Sequence, residues 1–227
     1  MSPTYDTGAS ICARTPKPPS RRPVIFIETK LKGAFVVELE RRDDERGFFA
    51  RSFCRREFQQ RGMNPLIAQS GIAKNREKGT IRGMHFQFPP AAETKLVRCI
   101  SGALLDIIVD LRPESETYLR HEAVELDGES MRALYVPERF AHGYQTLRAD
   151  TVASYELGEV YTPSAEGGLP YDDPRLALSW PLPLTAISAR DRNFRPLNEI
   201  EDKLKRRMLS DLQPTKPAQH ASALVTA

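Results

Sequence analysis

Apolar residues in this chain fall into short runs separated by turn-forming residues, and few recur at helical spacing. The stretch "LVRCISGALLDIIVDLR" predicts two strands broken at Ser101-Gly102. "HEAVELDGESMRALYVP" alternates on both sides of Asp127-Gly128, a dipeptide suited to a tight hairpin turn. Ile81 to Phe88, in "TIRGMHFQFPP", predicts a further strand. In a regular pleat Arg82, Met84, Phe86 and Phe88 share one face, with Ile81, Gly83, His85 and Gln87 on the other. A bulge at Gly83 would instead let Arg82 and His85 point into one cavity. Helical signals are few. "SFCRREFQQRG" has Ser52 as an N-cap and Gly62 as a stop, and Asn198 with Glu201 forms a capping-box pattern ahead of Ile200, Leu204 and Met208 at helical spacing. Short strands separated by turns predict an all-β antiparallel sandwich or barrel with a few short peripheral helices.

Composition sharpens the boundaries. Residues 1–22 and 211–227 are Pro, Ser and Ala rich without apolar periodicity, so a single domain over 23–210 with two flexible tails is expected. The chain has 227 residues, 40% of them apolar and 28% charged, which suits one core stabilised without disulfides. A net charge of +3 with both signs interspersed argues against nucleic acid as a partner. Cys12, Cys54 and Cys99 show no CxxC spacing, which fits reduced thiols. No apolar run reaches the roughly 20 residues of a membrane span, and no secretory signal is visible. A soluble cytoplasmic protein without a membrane partner is the expectation.

Candidate chemistry centres on His85, one of only four histidines. A lone strand histidine is more often structural than functional, but this one has company in Lys95, His142, Tyr155 and Tyr161. Packing accounts for the tyrosines, snorkelling from a strand end for Lys95, and a loop hydrogen bond for His142, so each has a bland reading. A metal site needs three or four converging ligands. The position two after His85 is Gln87 rather than a second histidine, which weighs against metal. Neither GxSxG, GxGxxG nor GxxxxGK[ST] occurs, and Cys54 and Cys99 sit in apolar surroundings that favour inert thiols.

Several segments in collinear order nevertheless resemble one family. They are "DERGFFARSF", "KGTIRGMHFQ", "KLVRCISGALLDIIVDLR", "LYVPERFAHGYQTL", "YTPSAEGGLPYDDPRLALSWPL" and "SARD", spanning about residues 24 to 195. The chain resembles the dTDP-4-dehydrorhamnose 3,5-epimerases, which are cupin-like jelly rolls. The resemblance implies an isomerase of a nucleotide-linked 4-keto-6-deoxy sugar in deoxysugar biosynthesis, with no metal, no organic cofactor, and a homodimeric assembly. It implies His85 as the base, Asp191 as its carboxylate partner, Lys95 beside the C4 oxygen and Tyr155 as the proton donor on the opposite face. His142 matches a substrate-contacting histidine. Arg46 and Arg82 match positions that grip the diphosphate, Tyr161 an aromatic that stacks on the base, and Gln69, Glu166 and Arg190 further substrate contacts.

Two positions depart from the family pattern. Arg51 stands where the family has a glutamate of the nucleotide pocket, and Gly71 stands where it has an asparagine. These motivate two alternatives: a single-site epimerase or ketoisomerase on a related sugar nucleotide, and a sugar-nucleotide-binding protein without turnover.

Overall fold

The computed structural model describes residues 24–210; both expected tails, and Cys12 with them, lie outside the described residues. The strands in chain order are β1 (Ile25–Glu28), β2 (Phe35–Glu38), β3 (Arg42–Asp44), β4 (Gly47–Phe49), β5 (Gln69–Asn75), β6 (Ile81–Gln87) and β7 (Lys95–Ser101). They continue with β8 (Ala103–Asp110), β9 (His121–Asp127), β10 (Ala133–Val136), β11 (Phe140–Thr146), β12 (Thr151–Leu157) and β13 (Glu166–Gly168). Three short α-helices accompany them: α1 (Arg55–Gln59), α2 (Ala189–Arg192) and α3 (Leu197–Met208). All strand pairs are antiparallel. A six-stranded sheet in the order β1-β2-β10-β7-β12-β5 faces a five-stranded one in the order β13-β6-β11-β8-β9, and β3 and β4 form a separate ribbon.

Three apolar layers hold this arrangement. Between the sheets, Val97, Cys99, Leu134 and Ala153 pack with Leu104, Ile108, Phe140 and Tyr144. On the outer side of the six-stranded sheet, Leu96, Ala133 and Tyr135 lie under Phe58 of α1 and Met63. On the outer side of the five-stranded sheet, Met84, Phe86, Ile107 and Val109 lie under Leu197, Leu204 and Met208 of α3. Each fully buried large apolar side chain in such a layer contributes about 1.5–3 kcal/mol. Because both of its faces are covered, β8 is buried at seven of its eight positions and β11 at all seven. That is why β8 reads as a nearly continuous apolar run instead of an alternating one, while β11 buries His142, Gln145 and Thr146 along with its apolar residues.

The expected hairpin at Asp127-Gly128 is a corner between sheets. β9 pairs with β8 in one sheet, while β10 pairs with β2 and β7 in the other. Asp127 still builds a local turn, its Oδ1 accepting from the N–H groups of Glu129 and Ser130 at 2.9 Å each. The chain then leaves for the opposite sheet. Ser101-Gly102 is a second such corner, and the two touch where the Gly128 N–H donates to the Gly102 carbonyl at 3.0 Å. A short-range apolar pattern is the same for a hairpin and a corner, so only tertiary pairing separates them.

The helix starts also differ from expectation. α1 is capped at Cys54, not Ser52, and α3 begins after Pro196, so the Asn198–Glu201 capping box does not form. Asp173, from a distant loop, accepts the Leu197 N–H at 2.7 Å and does the capping. Glu201 turns instead to Arg175 and to Lys205, the latter at 2.9 Å.

Candidate active site

β6 carries a bulge where it passes β11. His85 lies opposite His142 and Arg82 opposite Tyr144, so three steps along β6 match two along β11. Glycines make the distortion possible: a Cβ on Gly83 would sit 2.5 Å from the Gly143 Cα, and one on Gly143 would sit 2.6 Å from the Met84 sulfur. The pleat is thereby reset. Met84 goes to the outer layer with Phe86, while Arg82 and His85 both line the same cleft.

That cleft, about 310 Å³, opens between the two sheets. The five-stranded sheet supplies Arg82, His85, His142 and Tyr144, and the six-stranded sheet supplies Gly71, Lys95 and Tyr155. A second recess of about 410 Å³, lined by the segment from Ala186 to Asp191, adjoins it and shares Arg82, His85 and Arg190. His142, for which a loop hydrogen bond was the bland reading, lies in the middle of β11 and not in a loop.

His85 is held from behind. Its Nε2 lies 2.9 Å from Asp191 Oδ1, and Phe194 meets the ring edge-on at 5.9 Å between centroids. Asp191 is buried at 2% exposure, where its Oδ2 accepts the Gly83 N–H at 3.2 Å and its own N–H is capped by Ser188. A carboxylate only accepts, so Nε2 carries the hydrogen and Nδ1 is left as the basic nitrogen. Arg190 Nη2, 3.3 Å from the same Nε2, also only donates. Its Nε lies 3.5 Å from Asp191 Oδ1, so the guanidinium sits against both members of the pair. Burial would raise the Asp191 pKa, but the His85 contacts and the Gly83 and Ser188 hydrogen bonds outweigh it and hold the group at about 2.

This depression has a sign in stability. A carboxyl titrating near 3.8 when unfolded and near 2 when folded adds about 2 kcal/mol above pH 5, falling to about 1 kcal/mol by pH 3. Urea unfolding of the native protein and of Asp191→Asn, compared at both pH values, should show the gap between them narrowing as pH drops. A gap independent of pH would contradict the depressed pKa.

The remaining walls are built the same way. Lys95 and Glu93 form an ion pair with both side chains only 8% exposed. His142 Nε2 lies 2.6 Å from Asp106 Oδ1, making a second histidine–aspartate pair deeper in the fold. Tyr155 stands across from these groups, its ring perpendicular to that of His142 with the centroids 6.1 Å apart. Burial, and then the neighbouring Tyr144 hydroxyl, push the Tyr155 pKa well above that of a free tyrosine, so the group stays protonated. Arg82 is aimed by Asn75, whose Oδ1 accepts from Arg82 Nε at 2.7 Å. At the rim, Gln69 accepts the Tyr161 N–H at 2.7 Å, the Tyr161 hydroxyl reaches Glu166 at 3.2 Å, and Glu166 pairs with Arg190 at 2.6 Å.

Of the residues expected from sequence, His85, Lys95, Tyr155, Arg82, His142 and Arg190 line the cleft, with Asp191 behind His85 and Gln69, Tyr161 and Glu166 around the mouth. Arg46 and Arg51 are elsewhere. Arg46 projects from the β3–β4 ribbon with its side chain 90% exposed and pairs with Asp44. Arg51 pairs with Glu57 of α1, whose other oxygen accepts the Val24 N–H. Sequence reading missed Asp106, Glu93, Asn75 and Tyr144. Asp106 had a signal, since an aspartate inside the apolar run "ALLDIIVD" is rarely buried without a partner. Among the described residues no group of three or more His, Cys, Asp or Glu side chains could hold a metal ion, and no helix is long and apolar enough to cross a membrane. Cys99 is fully buried, and burial pushes its thiol up to about 11.

Comparison with known proteins gives a consistent match. The family model for dTDP-4-dehydrorhamnose 3,5-epimerase covers residues 28–199. A protein of that name from Methanothermobacter thermautotrophicus is 39% identical over 177 residues, which is 77% of this chain and 95% of that protein. The structure of an RmlC epimerase from Legionella pneumophila, in complex with dTDP-4-keto-L-rhamnose, is 32% identical with a TM-score of 0.75, covering 80% of this chain and 96% of that one. A 3'-monoepimerase from Streptomyces bikiniensis, in complex with dTDP, is 27% identical with a TM-score of 0.71, covering 80% and 98%. That last structure carries a histidine-to-asparagine and a tyrosine-to-phenylalanine change 70 positions apart, the separation of His85 and Tyr155 here.

Proposed function

The chain belongs to the dTDP-4-dehydrorhamnose 3,5-epimerase family, and from that premise we propose how its cleft inverts C3 and C5 of a dTDP-linked 4-keto-6-deoxy sugar. The observation that carries the mechanism is that His85 and Tyr155 enter one cleft from opposite sheets. Inversion at carbon needs a base on one face and an acid on the other. His85 Nδ1 takes a proton from the carbon beside the C4 ketone, and the C–H electron pair moves into a C–C double bond as the carbonyl pair moves onto oxygen. Lys95, almost buried in the wall of the same cleft, supplies an ammonium that offsets the charge of that enolate. The enolate then collapses, taking a proton from the Tyr155 hydroxyl on the opposite face. Solvent exchange returns the imidazolium and the phenolate to their starting states. Asp191 fixes the His85 tautomer and stabilises the imidazolium while it exists.

Arg82 and Arg190 are suited to the diphosphate, for which the guanidinium fork offers two parallel donors. Tyr161, half exposed at the rim, offers its ring face to the base.

Incubation of dTDP-4-keto-6-deoxyglucose with the protein in deuterated water, followed by NMR, tests the reading. Deuterium is expected at both C3 and C5, together with inverted product. No exchange at either carbon would end the proposal. Exchange at C3 alone would favour a single-site epimerase, a reading kept open by the similarity to a 3'-monoepimerase.

A further inference from the structure

Along the inner face of β5 the side chains run Gln69, Gly71, Ala73, Asn75. The two polar ends are committed, Gln69 to Tyr161 and Asn75 to Arg82 and Tyr144. Between them is a step with no side chain, and the strand register sets Gly71 directly opposite Tyr155.

Nothing in the backbone calls for glycine here. Its φ lies outside the left-handed region, and a Cβ built on it would meet no atom within 4 Å, in contrast to Gly83 and Gly143. Glycine weakens a strand interior, and where no turn or backbone crossing explains it, close approach of a ligand does. The borders of the gap are apolar: the Ala73 methyl, Leu157 and the Tyr155 ring all line the same cleft.

We propose that Gly71 is a specificity-determining position: it keeps an apolar trough open along Tyr155 for a substituent on the sugar ring bulkier than a hydroxyl, of the acylamino class. The identity of the ligand as a 4-keto sugar nucleotide rests on the function proposed above; the trough itself does not. Tyr155 faces the reacting carbons, and the diphosphate leaves from C1 toward Arg82, so the substituent concerned is the one at C2, between them. Directly opposed strand residues have Cβ atoms about 4.5–5.5 Å apart. A valine at 71 would therefore lie against the Tyr155 ring and fill the trough.

The test compares the native chain with Gly71→Ala and Gly71→Val, using calorimetric binding of dTDP, of dTDP-4-keto-6-deoxyglucose and of its 2-acetamido-2-deoxy counterpart, alongside thermal melting. Melting midpoints should not fall, since the new atoms enter open space and valine suits a strand. Affinity for dTDP alone should be unchanged across the three proteins. The acetamido compound should bind the native chain, and lose roughly tenfold or more in Gly71→Val while the hydroxyl compound loses less. Equal losses for dTDP and for the sugar nucleotides would put the trough at the nucleotide end and overturn the proposal. So would rejection of the acetamido compound by the native chain, or indifference of both sugar nucleotides to valine. Absence of turnover with the binding pattern intact would remove the proposed reaction and leave the trough standing.

Discussion

Replacing His85 with asparagine should cut turnover of the 4-keto sugar nucleotide by roughly 10² to 10⁴-fold, the range of a general base. Deuterium entry at both C3 and C5 should fall with it, because one base serves both carbons. The change should leave the fold in place. His85 is part-exposed, and Asp191 keeps its hydrogen bond from Gly83 when the imidazole is gone. An asparagine amide can also donate to the carboxylate, which limits the cost of leaving a buried charge with fewer partners. Stopped assays by NMR, run beside a thermal melt, separate loss of chemistry from loss of structure. A variant that melts normally and still exchanges at the native rate would remove His85 from the mechanism.

The second large effect is expected at Lys95, but the single substitution is a poor experiment. Lys95 and Glu93 form an almost buried pair, and removing one member of such a pair costs about 3–5 kcal/mol by stranding the other. The informative variant is Lys95→Met combined with Glu93→Gln, which removes both charges and keeps a hydrogen-bonding group near Gln87. Its kcat should fall roughly 10² to 10³-fold, the worth of one group aimed at a developing oxyanion. KM should change little, since the interaction strengthens only as charge develops on oxygen. A rise in KM at constant kcat would instead make Lys95 a ground-state binding residue.

The sequence showed parts of this site well because their signals were local. The Gly83 bulge was legible from a glycine in mid-strand, and it accounts for Arg82 and His85 sharing a cleft against the simple pleat. The four groups assigned to chemistry came from the family resemblance; periodicity alone left His85 undecided between packing and function. What stayed hidden was set by contacts between distant segments. Asp106 reads as one polar residue in an apolar run until β11 brings His142 against it. Asp173 cannot be seen as the cap of α3 from a position 24 residues before Leu197. The Asp127-Gly128 corner read as a hairpin because a turn says where the chain bends and not which sheet it joins.

The two corners at Gly102 and Gly128 also bear on when activity can arise as the chain folds. Each passes the chain from one sheet to the other, so β7 and β8 do not pair, and neither do β9 and β10. Pairing of this kind is non-local, and domains dominated by it fold in milliseconds to seconds instead of microseconds. The cleft takes residues from β5, β6, β7, β11 and β12 and from the segment at α2, a span from Gly71 to Asp191. The proposed base, His85, and the proposed acid, Tyr155, stand on different sheets. Turnover is thus a late event in folding, reporting that the two sheets have closed on each other, and a chain arrested with either sheet formed alone would be compact and inert.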